Sequence, residues 1–151
     1  MSLVEDKHGD ILLDFVPFDG GDNLPDQLSG FSVIVLRFQG QPLLVHNRHK
    51  KHWENPGGHR ETDETPLQCI LREINEETGQ SPENVRARGV IKIKSRGKGK
   101  VVQGTLFSGT LKTLHPFEKN EEIEAICCWD GKTDIGYINE IDRKLIEIIP
   151  A

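Results

Sequence analysis

The chain has 151 residues, a formal net charge of −5, 28% charged and 35% hydrophobic residues. The length predicts one domain spanning residues 1–151, large enough to bury about 68–70% of its unfolded surface. The acidic balance argues against a protein that coats nucleic acid, though it leaves room for a local basic patch, and no apolar run nears the ~20 residues of a membrane helix.

The polar start MSLVEDKHGD reads as no signal peptide. Three cysteines, an odd number, predict a reducing, cytoplasmic setting. Without a CxxC pair they do not read as a structural zinc site. Cys127 and Cys128 read as small hydrophobes on opposite faces of a strand, and Cys69 falls on a helix.

Residues 10–18 (DILLDFVPF) read as a first strand. Residues 19–30 (DGGDNLPDQLSG) read as surface loop. Their likeness to a calcium loop is superficial, because Gly21 stands where an acid or amide is needed and the closing Glu is missing. Residues 31–38 (FSVIVLRF), β-branched and aromatic, predict a buried strand with 42–48 as its hairpin partner. A second hairpin is predicted from 85–96 and 100–111, a further strand at 122–129 and a helix over 137–149 with Asp142, Arg143 and Lys144 outward. The order strands, helix, strands, helix predicts an α+β fold with a mixed sheet between helices.

The middle helix is the best specified. Thr65 suits the N-cap, Pro66 the first helical position, and Gln68 completes a capping box. Gly79 is the expected left-handed terminator. Leu67, Ile70, Leu71, Ile74 and Thr78 recur at helical spacing as one face, which puts Glu73, Glu76 and Glu77 on the other, solvent-facing side. Glu73 then neighbours both Glu76 and Glu77, like-charge pairs that cost about 0.2–0.5 kcal/mol each in an isolated helix. Either that face is solvated or a cation sits there. Ahead of it, Pro56-Gly57-Gly58 would turn tightly and leave carbonyl oxygens bare, and carboxylates with carbonyls are the ligands that Mg2+ and Mn2+ prefer.

Residues 58–80 resemble the Nudix box, G-x5-E-x7-R-E-U-x-E-E-x-G-U, where U is a bulky aliphatic residue. Gly58, Glu64, Arg72, Glu73, Ile74, Glu76, Glu77 and Gly79 fill its specified positions. Gln80 departs from it, standing at the last aliphatic position, and Asp63 replaces a frequent glycine. The resemblance implies an α/β/α sandwich whose loop-helix-loop binds Mg2+ or Mn2+ and hydrolyses a nucleoside diphosphate linked to another group. It implies Glu73 and Glu77 as metal ligands, and Glu76 as a further ligand or the holder of a metal-bound water. Gly57 or Gly58 would offer a backbone carbonyl, and Arg72 would orient the carboxylates, pairing with Glu64.

Members often draw another carboxylate from a later strand. Glu122 is the first candidate for that ligand or base, and a solvated strand entrance is the alternative. The implied substrate is a small nucleotide, as in mutator-type nucleoside triphosphatases that remove oxidised nucleotides, giving monophosphate and pyrophosphate. Dinucleoside polyphosphates, nucleotide sugars and RNA 5′ ends remain open, as does a non-catalytic nucleotide sensor. An isoprenoid diphosphate isomerase lacks a supporting Cys and Glu arrangement. No membrane partner is expected.

Other stretches stay double-edged. HNRHKKH at 46–52 reads as a basic loop, with Arg48, Lys50 and Lys51 facing polyphosphate or merely solvated. Lys92, Lys94 and Arg96 share a strand face, with Lys98 and Lys100 beyond, and could hold phosphates or protect a sheet edge. Trp53, Phe38, Phe107 and Phe117 are the candidates to stack on a base.

Overall fold

The computed structural model describes residues 2–18, 30–97 and 99–151, so the calcium-like loop and Lys98 lie outside the described residues. In chain order the elements are β1 (Val4–Glu5), β2 (Ile11–Pro17), β3 (Phe31–Phe38), β4 (Gln41–Asn47), β5 (His52–Glu54), β6 (Gly57–His59), α1 (Pro66–Thr78), β7 (Glu83–Lys94), β8 (Val101–Leu111), β9 (Ile123–Cys128) and α2 (Glu140–Ile148). The strands form a mixed sheet in the order β1-β2-β7-β8-β3-β4-β5, with β6 added to β3 and β9 to β4. The β3–β8 pair is parallel.

Strand β3 explains the layering. Val33 and Val35 point into a core shared with Ile141, Leu145 and Ile149 of the α2 region. Ile34 and Leu36, on the opposite face, pack with Ile70 and Ile74 of α1. A strand buried on both faces cannot alternate apolar with polar, so FSVIVLRF is continuously apolar at its centre. Each of these side chains contributes about 1.5–3 kcal/mol by leaving water. The result is the α/β/α sandwich, an α+β fold.

Three details position the site. First, β3 and β4 pair only beside their turn, at Arg37↔Pro42 and Phe38↔Gln41. They then part, β3 continuing against β6 and β4 against β9. Second, the short strands β5 and β6 carry no apolar alternation and were not visible to periodicity. Third, the apolar stripe of α1 is narrower than its spacing predicts. Leu67 and Leu71 are 42% and 41% exposed, whereas Cys69, Ile70 and Ile74 are fully buried. The helix is therefore rolled relative to the expected stripe, and Glu73 and Glu77 are carried into the protein rather than out to water. Asp142, expected to point outward from α2, instead accepts hydrogen bonds from Asn55 N and Nδ2, at 3.0 and 3.2 Å.

Candidate active site

Helix α1 is fixed at both ends by its own sequence. Thr65 Oγ1 accepts from Gln68 N at 3.1 Å, and Gln68 Oε1 accepts from Thr65 N at 2.9 Å, the reciprocal capping box. Gly79 closes the helix at φ 68°. Gln80, the departure from the motif, is buried, and its amide donates to Thr78 O and His115 O and accepts from His115 N. A polar residue thus ties the chain after α1 to the 115 region where an aliphatic one would only pack. Asp63 adopts φ 66°, which accounts for glycine being frequent at its position.

Arg72 is the hub of the outer side. Its Nε and Nη2 grip both carboxylate oxygens of Glu64 at 2.7 and 3.0 Å. Its Nη1 donates to Glu73 Oε1 at 2.9 Å and to Glu76 Oε2 at 3.1 Å. The guanidinium also donates to His59 O at 3.1 Å. This bidentate pairing holds the Glu64 carboxyl down at about 2, the Arg72 hydrogen bond being the main cause, and raises Arg72 in turn.

Inside that ring the balance reverses. Oxygens of Glu73, Glu77 and Glu122 lie within 4.8 Å of one another. Glu77 is only 2% exposed, and Gly57 N–H, donating to its Oε1 at 2.9 Å, is the hydrogen bond it receives. Burial pushes its carboxyl up to about 9, with the Glu122, Glu54 and Glu73 charges adding to the effect. Burial likewise raises Glu73, against the pull of Arg72. Glu76, expected in the same group, is held out by Arg72 with a side chain 54% exposed.

The glycines serve close approach rather than a tight turn. Gly57 and Gly58 lie in the extended strand β6. A Cβ on Gly58 would sit 2.5 Å from the Glu73 carboxyl, and one on Gly57 would collide with Ser32 O. The Gly58 carbonyl accepts from Cys69 Sγ at 3.5 Å.

Glu122 comes from the turn just before β9, and Asn120, which has no part in the motif, orients that turn. Asn120 Nδ2 donates to Glu77 O at 3.2 Å, while its Oδ1 accepts from Glu122 N at 3.0 Å and Ile123 N at 2.8 Å. One side chain thereby joins the end of α1 to the start of β9. Its signal in the sequence was an asparagine inside an acidic run just before an apolar strand. Arg48 backs the same turn, its N–H donating to Glu122 O and its Nη2 to Asn120 O.

Beside the carboxylates lies a cavity of about 620 Å3, with Gly57, Gly58 and Glu122 on one wall and Asn139, Ile141 and Asp142 on another. Of the basic loop, Asn47, His49, Lys50 and His52 reach it, joined by His8 and His59. Lys51 does not line it, and Arg48 is committed to Asn120. Burial, reinforced by Glu54, pushes the Asp142 carboxyl up to about 7. The base-stacking candidates fare unevenly. Phe107 is core, and Phe38 packs against that core. Trp53 donates its indole N–H to Ile135 O at 2.7 Å, and Phe117 is half-buried. Lys92 stands opposite Asp14 in the β2–β7 ladder.

The oxygen-only donor set suits a hard divalent cation. The fit rests on two observations: the buried Glu77 carboxyl, which has no ion pair among the described residues, and a glycine that leaves room only for the Glu73 carboxyl. Among the described residues no other His, Cys, Asp or Glu group converges in this way, so the histidines of 46–52 form no zinc face. All three cysteines are unpaired thiols, and no described helix is long and apolar enough to cross a membrane.

A model of the NUDIX domain matches residues 26–148. The RNA pyrophosphohydrolase of Stenotrophomonas maltophilia (strain K279a) is 37% identical over 57 residues, which is 38% of this chain and 28% of that protein. The namesake from Xanthomonas campestris pv. campestris (strain B100) aligns to the same extent. The matched stretch is thus little more than a quarter of those relatives' length. A mutant form of the Bacillus subtilis pyrophosphohydrolase BsRppH superposes with a TM-score of 0.72 at 18% identity, covering 98% of this chain and 96% of that one. The MutT NUDIX hydrolase from Burkholderia pseudomallei gives 0.68 at 17% identity, covering 79% and 95%. At such identities the superpositions speak for the fold. With the family model spanning most of its length, the chain belongs to the Nudix family.

Proposed function

We propose that this chain is a hydrolase that cleaves a nucleoside 5′-triphosphate, oxidised bases included, to the monophosphate and pyrophosphate, and that it requires Mg2+ or Mn2+. The observation that carries the reading is the convergence of Glu73, Glu77 and Glu122 oxygens within 4.8 Å, with Glu122 also lining a nucleotide-sized cavity. Glu73 and Glu77 are the principal ligands. The Gly57 or Gly58 carbonyl and Glu76, through water, complete the set. A divalent ion bound there would neutralise phosphate charge and make water a better nucleophile. The chain's own part is orientation. Arg72 aims Glu73, Asn120 brings Glu122 to α1, and Lys50 with the neighbouring histidines offers donors to phosphate oxygens. Glu122, exposed at the rim, is the group placed to accept a proton from the attacking water.

A second reading is favoured by the relatives named RNA pyrophosphohydrolase: the same triphosphate chemistry at an RNA 5′ end. Both readings are tested by one panel. Nucleoside triphosphates, 5′-triphosphorylated RNA, dinucleoside polyphosphates and nucleotide sugars are offered with Mg2+ or Mn2+, and products are identified. Pyrophosphate with a nucleoside monophosphate supports the first reading. Pyrophosphate with 5′-monophosphorylated RNA, and no turnover of free nucleotides, moves the assignment to RNA. Failure on every substrate by a folded, metal-replete sample leaves a nucleotide sensor and ends the proposal.

A further inference from the structure

The sheet face that α2 covers has a second concavity at the other end of that helix. The catalytic cavity meets α2 at Asn139, Ile141 and Asp142. The second, about 340 Å3, meets it at Ile149, and Arg37, Arg86 and Arg88 line it with the hydroxyl residues Ser108 and Thr110. Arg37 lies four residues beyond Val33 of the catalytic cavity, about 13 Å along the strand. The two spaces are therefore separate.

Register explains why three arginines meet here. Thr110 is the partner of Arg37 in the β3–β8 ladder, and Ser108 is the partner of Arg86 in the β7–β8 ladder. The hydroxyls of β8 thus lie between guanidiniums from the strands on either side. Arg88 Nη1 donates to Ser108 Oγ at 3.3 Å. Arg37 Nη2 donates to Ile146 O at 3.5 Å, which anchors the side chain under the last turn of α2. Its Nε is buried and has no acceptor.

No acidic side chain lines the space. Among the described residues none of the three guanidiniums forms an ion pair. In a chain of net charge −5, three arginines without an acidic partner converge on one cleft. The planar fork of Arg matches phosphate oxygens two at a time, and the Ser108 hydroxyl adds a neutral donor, while the Thr110 hydroxyl donates to Glu83 O at 3.3 Å. A half-buried guanidinium with an unmet donor is destabilising until an acceptor arrives.

We infer that the Arg37–Arg86–Arg88 cleft is a second anion site that binds a phosphate group, independent of the metal-binding carboxylates. The phosphate is either inorganic or carried by a nucleotide, and the cleft recognises the same oxygens in both. The inference does not depend on which substrate the catalytic cavity takes.

The test uses the whole chain in EDTA, which keeps divalent ions from the carboxylates. Melting temperature and calorimetric titration are followed with inorganic pyrophosphate and, separately, with a 5′-phosphorylated dinucleotide. The variant is Arg86→Ala with Arg88→Ala, both exposed and outside the core, and Arg37→Ala is a second, independent variant. A saturable rise of about 3 °C at tenfold excess over Kd is expected for the wild type, lost in the double variant and in Arg37→Ala. Response to pyrophosphate assigns the free anion, and response to the dinucleotide alone assigns the esterified phosphate. A response to sulfate equal to that of either, unchanged in the double variant, means an adventitious ion only and overturns the site. So does the absence of any response up to millimolar ligand.

Discussion

Helix α1 supports two clusters of charge that are balanced in opposite ways. On its outer side, Arg72 satisfies Glu64 twice and still reaches Glu73 and Glu76. On its inner side, Glu73, Glu77 and Glu122 converge with little to oppose them beyond one backbone N–H and the edge of Arg72. The outer cluster is complete as a piece of protein. The inner one, under the proposed function, would be completed by a cation. The contrast shows stability given up on the inner side, since a buried carboxylate without a countercharge is costly, and that is where the proposed function lies.

The sharpest way to break this comparison is Glu77→Gln. It removes a proposed ligand and, with it, the cost of keeping a buried carboxyl protonated above its ordinary range. Activity should fall by about a thousandfold or more, because metal-ion catalysis supplies several kcal/mol. The metal-free variant should nonetheless melt above the metal-free wild type. A variant that melts lower, or retains its turnover, would remove Glu77 from the inner cluster.

Opposite pH slopes are the next distinction. Glu77 is held at about 9, above its ordinary value of 4.5. Between these values the folded metal-free chain keeps a proton that the unfolded chain releases, so stability falls as pH rises, by up to about 1.4 kcal/mol per pH unit from this group. Glu64 is depressed to about 2, so its contribution is present above pH 4.5 and is lost as pH falls toward 2. Denaturant titrations from pH 5 to 9 in EDTA should show the first slope, and Mg2+ should flatten it. A slope equally steep in the Glu77→Gln variant would contradict the assignment.

Arg72→Lys tests the outer cluster. A single ammonium cannot grip both oxygens of Glu64 while reaching Glu73. Activity should drop about 10–100-fold, the usual effect of losing a group that orients a metal ligand. The effect should appear in the concentration of Mg2+ needed for half activity more than in the limiting rate. Asn120→Ala should be milder, about tenfold at subsaturating metal, with little change in melting temperature. An unchanged metal requirement would show that Glu122 is placed by its backbone alone.

Much of this was legible in the sequence, and the reasons differ by element. The limits and caps of α1 are local chemistry, written in Thr65, Pro66, Gln68 and Gly79, and they hold in the structure to the residue. The strand β3 was equally plain because burial on both faces leaves an unbroken apolar run. The rotation of α1 was not legible. Leu67 and Leu71 satisfy the same helical period as Ile70 and Ile74, and only the position of β6 decides which carboxylates turn inward. Asp142 and Asn120 were missed for a related reason, since their partners Asn55 and Glu77 are far away in sequence.

The parting of β3 from β4 has a kinetic corollary. Because the two strands separate after their turn, the proposed cation ligands are brought together through pairings between remote segments, β3 with β6 and β8, and β4 with β9. Such long loops close late on the folding route. Divalent ions should accordingly leave the refolding rate nearly untouched and slow unfolding, as expected for contacts absent from the transition state. Stopped-flow measurements with and without Mg2+ would show this as an effect confined to the unfolding limb.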